Sequence, residues 1–432
     1  MSSSDDLQSD SGLSDSGSSE SGSSESGSPE ANSSEANSPE ANSSEVNSCE
    51  TSVWSSIVGQ SAAVNLLKQI AASKADKIAQ SWLICGPAGS GRTEIARAFA
   101  AALECENHGC SQCDSCRHIA NGTHADITIM KTDKVNIGID EVRSLIEKSE
   151  QRPGILRWRI IIVEDFERML ERTTNVLLKE IEEPAIRTIW ILCAPTASDV
   201  LPTIRSRCRI VNLTVPQAGA IAKYLREKHG TDAQTAERAA RICEGNVENA
   251  VLYATNERAC VDRDELVAQV LSMKKASDAF AVALRTVSSV QEEARESAAE
   301  TVEREQAEFR RVNGLSEKDA IPSQLRSQWN RIGKAEDVKR LTNRRQRDIF
   351  ERYFTEIAGI YRDVIIIANN AQDSAGLINR EFEGQIRELA QRMTLSQAVK
   401  RAECVSVARR RLAGNVSPSL VFEALFCSLI CF

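Results

Sequence analysis

The fold of this chain is decided by one stretch, Gly86-Pro87-Ala88-Gly89-Ser90-Gly91-Arg92-Thr93. The apolar run Ser81–Cys85 before it is typical of a buried strand, and the Ala-rich segment 94–103 after it has apolar residues at helical spacing. A glycine-rich loop between a strand and a helix is the context of a phosphate-binding loop. Its glycines let backbone N–H groups surround phosphate oxygens, and the helix N-terminus adds partial positive charge. The sequence therefore predicts nucleotide-binding residues at Gly86, Gly89, Gly91, Arg92 and Thr93.

Arg92 is a departure from the usual phosphate-loop pattern, Gly-x-x-x-x-Gly-Lys followed by Ser or Thr. Arginine also holds phosphate, but its guanidinium is larger and fork-shaped and does not reproduce the point charge of lysine. Binding of ATP and Mg²⁺ at this loop, with or without turnover, therefore stays open. A glycine-rich turn that holds no ligand is the remaining interpretation.

Composition excludes several classes of protein. A chain of 432 residues with 41% hydrophobic content can build two or three domains with real cores. Only 4% of the residues are aromatic, which argues against a single-stranded nucleic-acid surface built on stacking. No basic and apolar leader opens the sequence and no apolar run reaches about 20 residues, so we expect neither a signal peptide nor a membrane span. Together with thirteen cysteines, this predicts reduced thiols and a cytoplasmic protein.

Residues 16–50 consist of seven pentads that each end in glutamate. A period of five matches neither a helix nor a strand, and almost nothing in it is apolar, so we expect residues 1–51 to be disordered. The first 50 residues hold eleven acidic and no basic side chains, and the rest of the chain is nearly neutral, with 53 basic and 50 acidic residues. A solubilising appendage and a partner-binding tail both remain open as roles.

Four cysteines follow the loop and its helix, at positions 105, 110, 113 and 116. Two gaps of two residues, with a fourth thiol just upstream, can surround one tetrahedral zinc ion. Cys105, Cys110, Cys113 and Cys116 are therefore the predicted ligands of a structural Zn²⁺, with His108 and His118 as nearby alternatives. Reduced cysteines on a loop without metal are the other interpretation.

Two acids end the apolar strand Arg159–Val163, namely Glu164 and Asp165. An apolar strand followed by acids is the Walker B form, which positions Mg²⁺ and polarises water, although its usual order is Asp then Glu. The reversed order leaves the geometry for the metal open. A helix N-cap or a surface charge pair is the alternative interpretation of these two carboxylates.

Further strands are predicted at 127–130, 188–193 and 210–213, and helices at 141–149, with Asp140 as N-cap, and 175–182. Apolar strands separated by helices predict an α/β fold with a parallel sheet. After Pro216 only helices are expected: three short ones between residues 220 and 255, then a long helical region from Val261. That region contains a basic run, which suits either a solvated face or a contact with DNA or a partner: Lys339, Arg340, Arg344, Arg345 and Arg347. The apolar segment 419–432 predicts a packed terminal helix.

Several motifs together resemble the clamp-loader subunits of the bacterial replicative DNA polymerase III. They are the 86–93 loop, the cysteine cluster, and the segments Asn121-Gly122-Thr123-His124-Ala125-Asp126, Asn175-Val176-Leu177-Leu178-Lys179-Glu180-Ile181-Glu182-Glu183-Pro184 and Thr203-Ile204-Arg205-Ser206-Arg207-Cys208-Arg209. The resemblance implies an AAA+ α/β domain with a zinc hairpin at 52–214, a helical lid at 215–260 and a helical collar at 261–432 that joins a hetero-pentameric ring. It also implies gamma/tau and delta subunits as partners, and contact with the sliding clamp and primed DNA through the complex.

Within that family, Arg92 and the Glu164-Asp165 order favour a subunit that hydrolyses ATP weakly or not at all over a gamma/tau-type ATPase. The resemblance also implies a sensor arginine near the start of the third lid helix, where this chain has Asn249. Arg207 resembles the family's arginine finger, because a transferring phosphoryl group at a ring interface needs a cation from the neighbouring subunit. A surface arginine paired with an acid is the plainer interpretation. An independent AAA+ ATPase such as a helicase loader, and a scaffold with a vestigial loop, remain as other functions.

Overall fold

The computed structural model describes residues 52–131, 137–154 and 157–430. The predicted disordered tail, residues 1–51, lies outside the described residues. The described ranges contain the glycine-rich loop, the four clustered cysteines and Arg207.

Within the described residues, five parallel strands form one sheet in the order β2-β3-β4-β1-β5. Every residue of the three central strands is buried, because helices cover both faces of the sheet, and this explains the uninterrupted apolar runs of the sequence. The predicted α/β fold with a parallel sheet is confirmed. The strand bounds are β1 Ser81–Cys85, β2 Ile127–Met130, β3 Arg159–Val163, β4 Thr188–Ala194 and β5 Arg209–Asn212.

Two apolar layers hold the sheet between its helices. On one face, Trp82 and Ile84 pack with Phe99, whose ring meets the Trp82 ring edge-on at 5.0 Å. On the other face, Leu83 packs with Trp190. Successive residues of β1 therefore point into different layers, as the period of a strand requires. The helices of this part are α1 Ser61–Ala71, α2 Arg92–Glu104, α3 Asp114–Ala120, α4 Ile139–Ser149, α5 Glu171–Glu182 and α6 Pro202–Arg205.

The cap of α4 differs from the sequence prediction. Asp140 lies inside the first turn, and Gly138 occupies the N-cap position. The side chain of Glu141 bonds back to the Gly138 N–H at 2.7 Å. The prediction of Asp140 as N-cap was therefore wrong, because the acid at the third helical position satisfies the free donor from inside the helix.

Three helices follow the sheet and share a small core of their own, built around Leu225, Ala239 and Tyr253. They are α7 Ala218–His229, α8 Ala233–Ile242 and α9 Val247–Thr255. Asn249 lies in the first turn of α9, where its backbone N–H donates to the Asn246 side chain at 3.1 Å.

The remainder of the described chain is helical. Its main core joins α10, α11, α13, α16 and α17, with Phe354 and Phe422 stacked at a centroid distance of 5.0 Å. Helix α10 crosses residue 260, the boundary predicted from sequence. Among the helices that the structure describes, none has the length and apolarity to cross a membrane. The bounds are α10 Glu257–Ser272, α11 Ala276–Val312, α12 Arg326–Trp329, α13 Ala335–Ala368, α14 Gln372–Ala375, α15 Glu383–Arg392, α16 Leu395–Ala413 and α17 Pro418–Ile430.

Candidate functional sites

The glycine-rich loop joins the carboxyl end of β1 to the first residue of α2. Gly89 and Gly91 have φ angles of 72° and 85°, in the left-handed region where a side chain is unfavourable. Gln60 connects this loop to the end of β5, since its amide nitrogen donates to the carbonyl oxygens of Ser90 (3.3 Å) and Thr214 (2.6 Å). The strand, loop and helix thus have the arrangement of a phosphate-binding loop.

Arg92 folds back onto its own loop. Its Nη1 donates to the carbonyl oxygen of Gly86 at 2.6 Å, and its Nη2 lies 3.7 Å from Oδ1 of Asp165. Thr93, the next residue, is half-buried in the first turn of α2. The arginine that replaces the usual lysine therefore links the loop directly to Asp165, after β3.

Protein cations surround both of those acids. Glu164 is buried, and its carboxylate lies 3.5 Å from Arg97 and 3.8 Å from Lys131. These pairings hold the Glu164 side chain between α2 and the end of β2.

Asp165 has a φ of 50° and lies between three guanidinium groups. Besides Arg92, it faces Arg168 at 3.4 Å and Arg344 of α13 at 4.0 Å. A Mg²⁺ ion bound here would compete with these guanidinium groups for the carboxylate oxygens of Asp165.

The turn between α8 and α9 lies directly on the loop. The Val247 N–H donates to the carbonyl oxygen of Gly89 at 3.1 Å. A Cβ atom at Gly89 would come within 2.2 Å of Cγ of Asn246. The helices α7–α9 therefore cover the loop closely, as a lid over a nucleotide site would.

This contact predicts a measurable difference between two glycines. Gly89→Ala should lower the free energy of unfolding by about 2–4 kcal/mol, since it adds both left-handed strain and a clash with Asn246. Gly122→Ala is the matched control: φ is 68° there, but no heavy atom lies within 4 Å of the added Cβ, so only about 1–2 kcal/mol is expected. Urea denaturation of both variants measures the difference, and equal losses would contradict the packed lid.

The four predicted cysteines come together in the structure. Cys105 ends α2, Cys113 caps α3, and all four Sγ atoms lie within 4.8 Å of one another. The Sγ of Cys105 lies 3.6 Å from that of Cys110 and 3.7 Å from that of Cys113. Four thiolates at about 2.3 Å from a tetrahedral zinc ion are separated by about 3.8 Å, so the spacing fits the metal.

The backbone around the cysteines favours thiolates. The N–H groups of Cys110, Cys113 and Cys116 point at the Sγ atoms of Cys105, Cys110 and Cys113, at 3.5, 3.4 and 3.4 Å. Residues 108, 109 and 111 have positive φ angles, and the tight turns that result bring these N–H groups to the sulfur atoms. The alternative ligand His118 instead has its Nδ1 at 3.2 Å from the Thr123 hydroxyl. The cluster thus has the donor set of a metal site.

Arg207 lies at the opposite edge of the sheet from the loop. Arg209 pairs with Trp82 near the start of β1, whereas the loop follows Cys85 at the strand's end. Arg207 is therefore separated from its own loop by the length of β1, about 17 Å. Its Nη2 bonds to Glu182 of α5 at 3.2 Å, and its Nη1 to the carbonyl oxygen of Thr203 at 2.9 Å. A surface groove of about 380 Å³ borders both Arg207 and Glu182.

Sequence reasoning missed the residues that pair with the predicted ones. One of them, Glu182, contacts Arg207. The other four contact the glycine-rich loop or the two acids after β3, and they are Gln60, Arg97, Arg168 and Arg344. Glu182 lay inside a quoted motif and could have been considered as the partner acid. Arg344 was named in the basic run, but as part of a solvated face or a contact with DNA or a partner, and the other three carry no local pattern that identifies them.

Comparison with known proteins finds similarity to subunits of DNA polymerase III. Residues 59–217 match a family model described as DNA polymerase III, delta subunit. The chain is 33% identical over 153 residues to DNA polymerase III subunit delta' of Pseudomonas aeruginosa, which is 34% of this chain and 47% of that protein. It is 30% identical over 160 residues to subunit tau of Bacillus subtilis, which is 36% of this chain and 28% of that protein.

The chain thus spans less than half the length of these curated relatives. A solved gamma subunit-related protein of DNA polymerase III from Thermotoga maritima aligns over 85% of this chain and 98% of its own, with a TM-score of 0.37 and 16% identity. The family match, residues 59–217, contains the loop, the four cysteines and Arg207. Through residues 59–217, the chain is therefore similar to subunits of DNA polymerase III.

Proposed function

We propose that this protein is a clamp-loader subunit of the delta-prime type, which helps to load the sliding clamp onto primed DNA. In this role Arg207 serves as the arginine finger for the ATP site of a neighbouring subunit. One observation carries the proposal: Arg207 is at the sheet edge opposite to its own loop, so it is placed to act on a phosphate of another chain and not on one bound at its own loop. A cation fixed at a subunit boundary offsets the charge that develops on the transferring phosphoryl group.

The exposure of Arg207 fits a side chain that contacts another subunit. Its side chain is 36% exposed, and its acidic contact, Glu182, is 55% exposed. An ion pair this accessible to water contributes little, about 0–1 kcal/mol, so exchange of Glu182 for a triphosphate costs little. The Thr203 carbonyl and the Ser206 hydroxyl, at 2.9 and 3.3 Å, hold the guanidinium near the surface meanwhile.

The chain's own loop supports a different role. Arg92 is bonded to Gly86 inside the loop, and Asp165 faces three guanidinium groups. Nucleotide and Mg²⁺ would have to displace these internal contacts before any chemistry. We therefore propose weak or absent ATP hydrolysis at this loop, which distinguishes the chain from a gamma/tau-type ATPase.

The remaining parts have supporting roles in this proposal. Residues 52–214 form the AAA+ domain, 215–260 the lid, and 261–432 the collar that assembles with gamma/tau and delta subunits in a five-membered ring. Zn²⁺ on Cys105, Cys110, Cys113 and Cys116 ties α2 to α3. Within the cysteine turn, the carbonyl oxygen of Gly109 accepts a hydrogen bond from the Val53 N–H at 3.0 Å. A metal that holds this turn in place therefore also fixes the start of the AAA+ domain. A protein that acts on primed DNA in this role would be located in the cytoplasm.

Purification from the chain's own cells tests the proposed function. We expect other clamp-loader subunits to accompany the tagged protein, and the chain freed from them to hydrolyse ATP weakly or not at all. Arg92→Lys should restore little turnover, because Arg168 and Arg344 still occupy Asp165. Vigorous turnover by the chain alone, after contaminants are removed, would support an independent ATPase. Absence of the other subunits would contradict the clamp-loader role.

A further inference from the structure

Residues 299–348 form an arm that belongs to no core of the protein. The structure describes all of them, and none is buried. The buried residues of α11 end at Ala298, and those of α13 begin at Ile349. The arm therefore consists of the last part of α11, the first part of α13 and the connection between them, which contains α12. Its side chains remain accessible to a partner.

The tip of the arm, residues 309–334, has a defined conformation despite its exposure. Arg310 donates through Nη1 to the carbonyl oxygens of Ser316 at 2.7 Å and Asp319 at 3.1 Å. Its guanidinium lies over the Trp329 ring at 4.9 Å, and the Phe309 ring packs against the same indole at 5.6 Å. A cation–π contact and two charge-assisted hydrogen bonds therefore hold the connection onto α11.

Charge is divided unevenly along the arm. The tip contains six basic and two acidic residues. The shaft, residues 299–308 of α11, contains four acidic residues and one basic residue. A positive tip thus follows directly after a negative shaft.

Most of these charges have no partner in their own chain. Within the described residues, no hydrogen bond or ion pair engages seven of the charged side chains, and all seven are exposed. Tip and shaft do touch, since a Cβ atom at Gly333 would come within 3.0 Å of Val302. The seven are Lys318, Arg326, Arg331 and Lys334 on the tip, and Glu300, Glu303 and Glu305 on the shaft.

We propose that the arm pairs with the arm of a second copy of this chain, tip against shaft. In an antiparallel pair related by a twofold axis, each tip lies on the other copy's shaft, so every charge contact occurs twice. The charges that lack a partner in one chain then meet opposite charges in the other. A second copy fits better than DNA, because the shaft acids repel a phosphate backbone but attract a second tip.

Apolar side chains of the arm support the same contact. Val312 is 71% exposed, and Val302 and Ile332 are half-buried, so pairing would remove apolar surface from water. Residues 299–312 of α11 extend over about 20 Å, which is short for a permanent interface. Exposed ion pairs are also individually weak. We therefore expect a reversible dimer that dissociates as the salt concentration rises.

The arm lies outside residues 59–217, which contain the glycine-rich loop and Arg207. Pairing of arms therefore does not rest on the proposed function. Its test requires neither ATP nor other subunits, so failure of the one inference is distinguishable from failure of the other.

Sedimentation of the full chain over a range of concentrations, combined with charge reversal, tests the pairing. We expect the unmodified chain to dimerise. The tip variant Arg326→Glu, Arg331→Glu and the shaft variant Glu300→Lys, Glu303→Lys should each dimerise about tenfold more weakly or worse, because like charges then face each other. An equimolar mixture of the two variants should regain the affinity of the unmodified chain, since a reversed tip meets a reversed shaft.

The matched control reverses two exposed arginines outside the arm, Arg226 and Arg380, whose side chains have no partner among the described residues. Arg226→Glu, Arg380→Glu should dimerise as the unmodified chain does. Circular dichroism checks that each variant is folded. The single changes Arg331→Glu and Glu303→Lys replace any double variant that unfolds, and the same mixing experiment applies to them.

A chain that stays monomeric at every concentration would overturn the proposal, as would a dimer that the tip and shaft reversals leave unchanged. Equal weakening in the control, or a mixture that regains no affinity, would also overturn it. A monomeric chain that binds a double-stranded oligonucleotide, with binding lost in the tip variant, would assign the tip to nucleic acid instead.

Discussion

Replacing Arg207 with alanine is expected to leave the assembled ring intact and to slow ATP hydrolysis at one neighbouring site by about 10³-fold. An arginine finger contributes on that order because it stabilises charge that exists only in the transition state. Assembly should survive, since Arg207 is a half-exposed surface residue whereas the apolar core of α10–α17 belongs to the proposed collar. Reconstitution of the complex measures both outcomes, by gel filtration and by clamp-stimulated ATP hydrolysis.

Two further variants sharpen this experiment. Arg207→Lys should rescue poorly, because a point charge does not reproduce the guanidinium fork. Arg209→Ala is the matched control: it removes a nearby arginine whose guanidinium lies over the Trp82 ring at 5.2 Å. If the Arg207→Ala ring hydrolyses ATP at the unmodified rate, the finger assignment is lost and a scaffold role gains support.

Loss of the cysteine cluster is expected to remove the metal and to destabilise the α/β part of the chain, which contains the sheet. The purified chain should contain about one zinc ion, from the four-ligand rule, and the double variant Cys113→Ser, Cys116→Ser should contain none. Because a structural zinc ion contributes its binding energy to folding, we expect a loss on the order of several kcal/mol in the free energy of unfolding. Atomic emission of the purified proteins and urea denaturation measure the two effects.

A matched control separates the metal from the loss of thiols as such. Cys404 and Cys427 are half-buried free cysteines of the helical region, outside the cluster. Cys404→Ser, Cys427→Ser should keep the zinc content unchanged. Unchanged zinc in the Cys113→Ser, Cys116→Ser chain would show that the metal, if present, binds elsewhere.

The sequence alone determined the features that depend on neighbours along the chain. Uninterrupted apolar runs such as 159–163 identified strands buried on both faces, and the strands of the sheet fall where those runs are. The four cysteines lie within twelve residues, so their spacing alone predicted one cluster. Even so, local chemistry misled at α4, where Glu141 rather than Asp140 satisfies the helix start.

Only the tertiary structure decided which charges meet. Asp165 faces Arg92 and Arg344, which are 73 residues before it and 179 after it. Asn246, the residue before α9, lies on Gly89, and Arg207 contacts Glu182 at the far edge of the sheet. Hydrophobic periodicity reports which face of an element is buried, but it carries no information about the partner of a polar side chain. Those pairings result from how α13, helices α7–α9 and the sheet pack together, and they include residues of the glycine-rich loop while Arg207 stays at the surface.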